Sequence, residues 1–464
     1  MRIRRHAAPP APAVGPRWVR DDGYAYLLTG LFWLTFYQNL PGDLSGYHSH
    51  GAFADPNQLD RIIKLTMLSV SFYLIVTRWP LTRQLASHLN KGFLTLFCLS
   101  FLSVIWSIDR SATILRFISL SSVLLTCFSI GLASWHPRRF QQTATAPIML
   151  ILCASLALGI VAPNLVTELG DEIALKGSWH GITHGKNEFG MMAAVGTILC
   201  SQRWMSREGR PLWSILGCGV AFTCLVLSRS NTSMFSTLLA VGTMYLLLRV
   251  PVVRSRYSVH VVVSIAAIVL LYEGIIQKIV PGLDVLLEPI VGLTGKDTTF
   301  SARTTIWAVV KEHIQLSPLL GSGYGAYWVG PEPTSPSYVF LRIMYLYPTE
   351  SHNGYLELVN DLGFVGGLGG LLLYIVFYLK QALQLMATDR SQAVLYLGLF
   401  IQEMVINMSE SDFLSRSNTF AVLALATVSL SRALLDVKLK QQAGLVALNP
   451  SYGRGPGSSG TRTV

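Results

Sequence analysis

The chain has 464 residues and a net charge of +11, with 51% of its residues hydrophobic and only 13% charged. So little charge cannot cover the surface of a soluble protein of this length. The apolar residues fall in long blocks parted by short polar loops, which predicts an all-α, polytopic integral membrane bundle. The basic excess belongs to particular loops, and no zinc-finger, helix-turn-helix or aromatic-basic motif accompanies it, so no nucleic-acid partner is expected.

Residues 1–23, opening with MRIRRHAAPPAPAVGPRWVR, are basic and proline-rich and read as a disordered cytoplasmic tail. The apolar run 24–40 has no small-residue cleavage site after it and reads as a first membrane helix. Further apolar blocks lie near 62–78, 92–107, 113–134, 145–162, 188–203, 212–228, 233–249, 259–280, 358–380, 392–408 and 418–434. At ~20 residues per span this gives about twelve helices. Residues 24–280 would then hold helices one to nine, and residues 354–435 helices ten to twelve. Residues 436–464 are Gly/Ser-rich at their end and read as a flexible cytoplasmic tail. The six cysteines sit in or beside apolar blocks without metal-ligand spacing and read as small buried hydrophobes.

Lys and Arg set the expected orientation. With the N-terminus inside, the inner loops carry Arg78, Arg83 and Lys91, then Arg138 and Arg139, then Arg203, Arg207 and Arg210. The outer loops carry Asp43, Asp55, Asp109, Glu168, Asp171 and Glu172. Both termini are therefore expected in the cytoplasm. The connection 281–353 is long for a passive link and would lie outside, between helices nine and ten. Its stretch SARTTIWAVVKEHIQL places Thr304, Trp307, Val310 and Ile314 on one partly apolar helical face.

Four polar clusters share the outer side: HGITHGKNEFG (180–190), LSRSNTSM (227–234), the segment around Arg303, and SHNGYLEL (351–358). Each has an ordinary explanation. Ser351, His352 or Asn353 could cap a helix, and Lys186 or Arg229 could snorkel to headgroups. Together they describe a cationic outer pocket with a histidine. Arginines hold the oxygens of a lipid-linked diphosphate, and their charge stabilises it as it leaves. A histidine can take the proton of an acceptor hydroxyl near neutral pH. The predicted outer loops contain no Asp-x-Asp pair, and no metal or cofactor is expected.

His352 and Asn353 are followed by nine residues and then Gly363, Phe364, Val365 and Gly366. This resembles the outer-loop motif of the O-antigen ligase and polysaccharide polymerase superfamily, closest to the bacterial exopolysaccharide polymerases. SARTTIWAVVKEHIQLSPLLGSGYGAYW is similar to the family's Arg-x-x-x-Trp segment and the glycine turn after it. THGKNEFG is similar to its Lys-Asn signature, WSIDRSATILRFISL, with Arg116, to its early outer-loop motif, and NMSESDF (407–413) to its late Glu-Ser segment. The resemblance covers roughly residues 90–430.

The resemblance implies a glycosyltransferase C type bundle in the bacterial inner membrane. It implies metal-independent, inverting transfer from an undecaprenyl-diphosphate-linked glycan at the periplasmic face. His352 would be the base or would position the acceptor, and Arg303 would contact diphosphate, with Arg229 as a second such arginine. Asn353, Lys186, Asn187, Arg116, Arg342 and Glu357 would be substrate-binding. A copolymerase that regulates chain length is an implied partner. Two further readings stay open: a ligase that moves finished glycan to lipid A core or another acceptor, and a transporter without chemistry. A transporter usually carries internal repeats and charges at the midplane, which this sequence lacks.

Overall fold

The computed structural model describes residues 17–36, 58–133, 137–168, 177–277, 301–345 and 347–442. The remainder of both tails, Asp43 and Asp55, Asp171 and Glu172, and the start of the long connection lie outside them. Sixteen α-helices follow in chain order: α1 (Arg17–Leu34), α2 (Gln58–Thr77), α3 (Trp79–His88), α4 (Lys91–Leu102), α5 (Arg110–Leu132), α6 (Pro137–Val161), α7 (Lys186–Met205), α8 (Pro211–Ser228), α9 (Asn231–Arg249), α10 (Ser258–Ile276), α11 (Ser301–Ile314), α12 (Val339–Met344), α13 (Gly354–Gly363), α14 (Gly369–Met386), α15 (Arg390–Ile406) and α16 (Asn418–Gln442). The chain is an all-α, multi-pass membrane protein.

Each of the twelve apolar blocks coincides with a helix, because a block of about 20 residues must satisfy its backbone internally in a bilayer. Among the described residues, seven helices are individually long and apolar enough to cross, and an eighth is counted if the pair α3–α4, bent by 106°, is one span. Several boundaries differ from expectation. α1 begins at Arg17, inside the segment expected to be a disordered tail, and α16 runs to Gln442, past the expected end of the last span. The basic stretch around Arg83 is a helix and not a loop, with proline in its first turn, where a missing N–H costs nothing. α13 and α14 join through a π-helical turn, Phe364–Leu368, into one 33-residue span.

α15 lies at the centre. Every residue from Gln392 to Ile406 is buried, as befits a helix that is apolar all round. Tyr378 of α14 stacks on Phe400 of α15 with ring centroids 4.1 Å apart. Outer helices instead show Leu, Ile and Phe on their free faces, such as Leu238, Phe222 and Ile268, surfaces that lipid covers. Cys98 and Cys153 belong to these faces. They correct the expectation of six buried cysteines, although all six are free thiols.

α10 is held loosely. A groove of about 950 Å³ separates it from α9 along Leu238, Gly242, Leu246, Tyr257 and His260. A smaller apolar cavity separates it from α14 and α15.

Where helices must touch, the chain has glycine. At Gly92 a Cβ would stand 1.9 Å from the backbone nitrogen of Tyr374. The same contact is fixed by Asn90, whose Oδ1 caps α4 at Phe93 N–H and whose Nδ2 donates to Tyr374 O at 3.1 Å. Backbone cannot swing aside as a side chain can, so Gly92→Ala should cost at least ~1–3 kcal/mol. The expected result is a clearly lowered melting midpoint in detergent; an unchanged midpoint would refute this close approach of α4 to α14.

Candidate active site

Three distant segments meet at Glu410, in the turn between α15 and α16. Arg303 of α11 reaches Glu410 Oε1 at 2.8 Å. Asn187, in the first turn of α7, donates from Nδ2 to the same oxygen at 2.8 Å. His352 lies with Nδ1 at 3.3 Å from Glu410 Oε2 and at 2.9 Å from Glu350 Oε1. The second polar segment, 227–234, abuts the residue before the first, with Trp179 N–H donating to Leu227 O at 3.0 Å.

Local sequence explains how each group is aimed. Arg303 and Trp307 are four residues apart and share a helix face. Trp307 Nε1 donates to Ser351 O at 3.0 Å while Arg303 extends to Glu410, so one helix grips both sides of the histidine. α11 buries Ile306, Trp307, Val310 and Ile314 against Tyr327, Trp328 and Phe340. Thr304 is exposed, and Ile306 takes the place on the apolar face that the sequence reading gave to it.

Asn353 is the N-cap of α13. Its Oδ1 accepts from Leu356 N–H at 2.9 Å, and its Nδ2 donates to Glu273 Oε1 at 2.8 Å. Gly354 follows, and its N–H donates to Asn407 O at 2.8 Å and Glu410 O at 3.0 Å. A Cβ there would lie 1.8 Å from Asn407 Oδ1. The start of α13 is thus pinned against the turn that carries Glu410. Between these anchors His352 adopts a left-handed backbone with φ of +51°, a conformation that costs a non-glycine residue of order 1 kcal/mol.

The electrostatics follow from this geometry. Burial opposes charge on His352, but the hydrogen bonds and charges of Glu350 and Glu410 outweigh it and raise the imidazole to about 10. Burial also works against Glu410, yet His352 and Arg303 hold its carboxyl below the ordinary value. Glu350 goes the other way: burial, with Glu410 nearby, pushes it up despite its bond to His352. His352 therefore keeps its proton at neutral pH, between the two carboxylates. The His352 side chain is 33% exposed. Among the described residues Nε2 makes no hydrogen bond, which leaves it for an incoming group.

The remaining sequence candidates sort clearly. Glu357 neither faces the site nor touches the imidazole. It accepts from Trp328 Nε1 at 2.6 Å and from Ser351 N–H at 3.0 Å, and so supports the backbone just before His352. Arg116 is turned to structure and not to substrate, donating to the carbonyls of Gly325 and Trp328. The GSGYG turn it holds packs on the end of α13, where Gly363, with φ of +71°, leaves room for Leu319 O. Arg342 is exposed on α12 and lies over the Tyr338 ring at 5.3 Å. Arg229 ends α8 with φ of +51° and its guanidinium rests against Gly177. Lys186 opens α7 beside Asn187. Glu350 and Glu410 were not among the sequence candidates. The signal available for Glu410 was an acidic SESD turn on the side predicted to hold three basic segments.

Residues 216–371 match the O-antigen ligase family, a stretch that takes in Arg229, Arg303, His352 and Asn353 and ends before Glu410. The chain is also 26% identical over 319 residues to the exopolysaccharide production protein ExoQ of Rhizobium meliloti (strain 1021), covering 66% of this chain and 68% of that one. By these two similarities the chain is an O-antigen ligase/polymerase-like protein, built as a multi-pass helical membrane bundle.

Proposed function

We propose that the protein polymerises an exopolysaccharide-type glycan, moving it from an undecaprenyl-diphosphate carrier to a hydroxyl of a second carrier-linked repeat unit. The reaction would take place at the periplasmic face of the inner membrane. The observation that carries this reading is the meeting of Arg303, Asn187 and His352 on Glu410. The acceptor hydroxyl attacks the anomeric carbon from the face opposite the diphosphate, the carbon–oxygen bond to phosphate breaks, and the configuration inverts. The hydroxyl proton passes to the carboxylate of Glu350, which burial makes a better base and whose Oε1 lies 2.9 Å from His352 Nδ1, while the protonated imidazole holds that carboxylate in place. Arg303 gathers the charge that develops on the leaving diphosphate.

Glu350, His352 and Glu410 also offer three ligand atoms within 4.8 Å of one another. Arg303 already sits on Glu410 Oε1, and this ion pair supports a metal-independent transfer. The ligase reading has its own support, since the matching family is described as O-antigen ligase. Both reactions use the same donor chemistry and differ in the acceptor.

The test is to supply purified protein with the repeat unit on undecaprenyl diphosphate plus a chelator, and to resolve the products on a gel. A ladder is expected. Transfer only after addition of a lipid A core would assign a ligase, and a ladder abolished by the chelator would restore a metal to the carboxylates.

A further inference from the structure

The turn after α11 carries leucines with little protein cover. Leu316 is 81% exposed, Leu319 62% and Leu320 48%, in a connection expected to lie outside the membrane. Three bare leucines within five residues make an apolar patch, which marks a contact with a membrane or another protein. The segment is held firmly on two sides. Phe364 N–H donates to Pro318 O at 2.8 Å and Val365 N–H to Leu319 O at 3.3 Å, which ties it to the π-helical turn between α13 and α14. Trp106 Nε1 donates to Leu320 O at 2.9 Å, and Ile108 N–H to Ser322 O at 2.9 Å, which ties it to the chain just after α4. Both neighbours are themselves bare, since Phe364, Val365 and Ile105 are exposed.

The depth of the segment follows from the span it is bonded to. From Phe364 to Leu379 there is no charged residue, and Lys380 ends the run. Sixteen residues rise about 24 Å at ~1.5 Å each, which is less than the ~30 Å of a hydrocarbon core. With Lys380 at one boundary, Phe364 and Val365 lie at or within the other, and the leucine turn bonded to them lies at the same depth. The backbone there meets the demand of a bilayer, because the carbonyls of Pro318, Leu319 and Leu320 each accept a hydrogen bond.

We propose that residues 316–320 dip into the hydrocarbon of the leaflet on the His352 side, so that lipid acyl chains cover the three leucines. The lipid-facing surface of the α13–α14 span continues directly onto this turn, which is why acyl chains and not a protein are the occupant. α11 ends two residues before Leu316, so the anchor also sets the height of the helix that carries Arg303. The anchor stands whether or not the protein polymerises glycan.

The experiment is power-saturation EPR on the full chain in phosphatidylethanolamine–phosphatidylglycerol vesicles with no other protein. A nitroxide is placed on Leu316→Cys, in a background whose six native cysteines are alanine. Glu332→Cys, exposed on the same connection, carries the reference label. The Leu316 label is expected to collide with oxygen several-fold more than with a water-soluble nickel chelate, and the Glu332 label the reverse. Leu319→Cys, read in the same way, serves should Leu316→Cys fail size exclusion. Nickel collisions as frequent at the leucine as at Glu332 would put the turn in water and overturn the proposal. Dipolar broadening between leucine labels would seat a second copy of the chain on the patch and overturn it equally.

Discussion

His352→Asn should abolish polymer formation while the protein remains folded in the membrane. Asparagine is the substitution to choose because it tolerates the left-handed backbone that His352 occupies. Alanine in that conformation would mix a backbone penalty with the loss of chemistry. General acid–base groups contribute about 10²–10⁴ in rate, so the ladder should vanish on the timescale of the wild-type assay. Size-exclusion behaviour should stay close to wild type, because Gly354 and Asn353 hold the start of α13 without help from the imidazole, while melting near neutral pH should fall with the loss of the protonated imidazole between Glu350 and Glu410. A variant that still makes long polymer would remove His352 from the chemistry.

Glu410→Gln should cost nearly as much, although no motif pointed to this residue strongly enough to make it a site candidate. Its carboxylate takes charge-assisted bonds from Arg303 and His352 and a third bond from Asn187. An amide of the same shape loses both ionic partners at ~1.5–3 kcal/mol each. A fall of roughly a hundredfold or more in kcat/KM is expected, at ~1.4 kcal/mol per tenfold. The variant also makes a pH prediction. In the wild type the folded state holds the His352 proton more tightly than the unfolded chain. The stabilisation is therefore full below the ordinary value of 6.5 and is lost as pH rises through about 10. Glu410 is shifted the opposite way, and its contribution is present above the ordinary 4.5 and lost as pH falls. Removing the Glu410 charge should bring the imidazole down toward its ordinary range, visible by NMR as a lowered titration midpoint and in melting as a lost alkaline dependence. A midpoint unmoved by the substitution would mean that Glu350 alone sets it.

The helices were legible because a bilayer imposes one rule on every span, and that rule is written in runs of apolar residues. The histidine, Arg303 and Asn187 were legible because motif spacing and the alternation of spans put them on one side. What joins them was not. Glu410 lies 58 residues from His352 and 107 from Arg303 in the chain, and a lone carboxylate in a polar turn carries no periodic signal. The bonds that Arg116 makes to the carbonyls of Gly325 and Trp328 were not legible either. A sequence shows a buried charge but not the backbone carbonyls that satisfy it. Thr304 was put on the buried face by its three-residue spacing from Trp307, whereas the face turns the other way and takes Ile306. Arg342 looked like a candidate by charge and ended on an exposed helix beside its own tyrosine.

The loose seating of α10 has a consequence for how this protein must be handled. Its N-terminal half faces an open groove, while its C-terminal end carries Glu273, the hydrogen-bond partner of Asn353. A lipid-facing helix is therefore mechanically in series with the residue beside His352. Bilayer thickness and acyl composition therefore belong among the conditions to hold fixed when the protein is assayed, in a micelle as in a membrane.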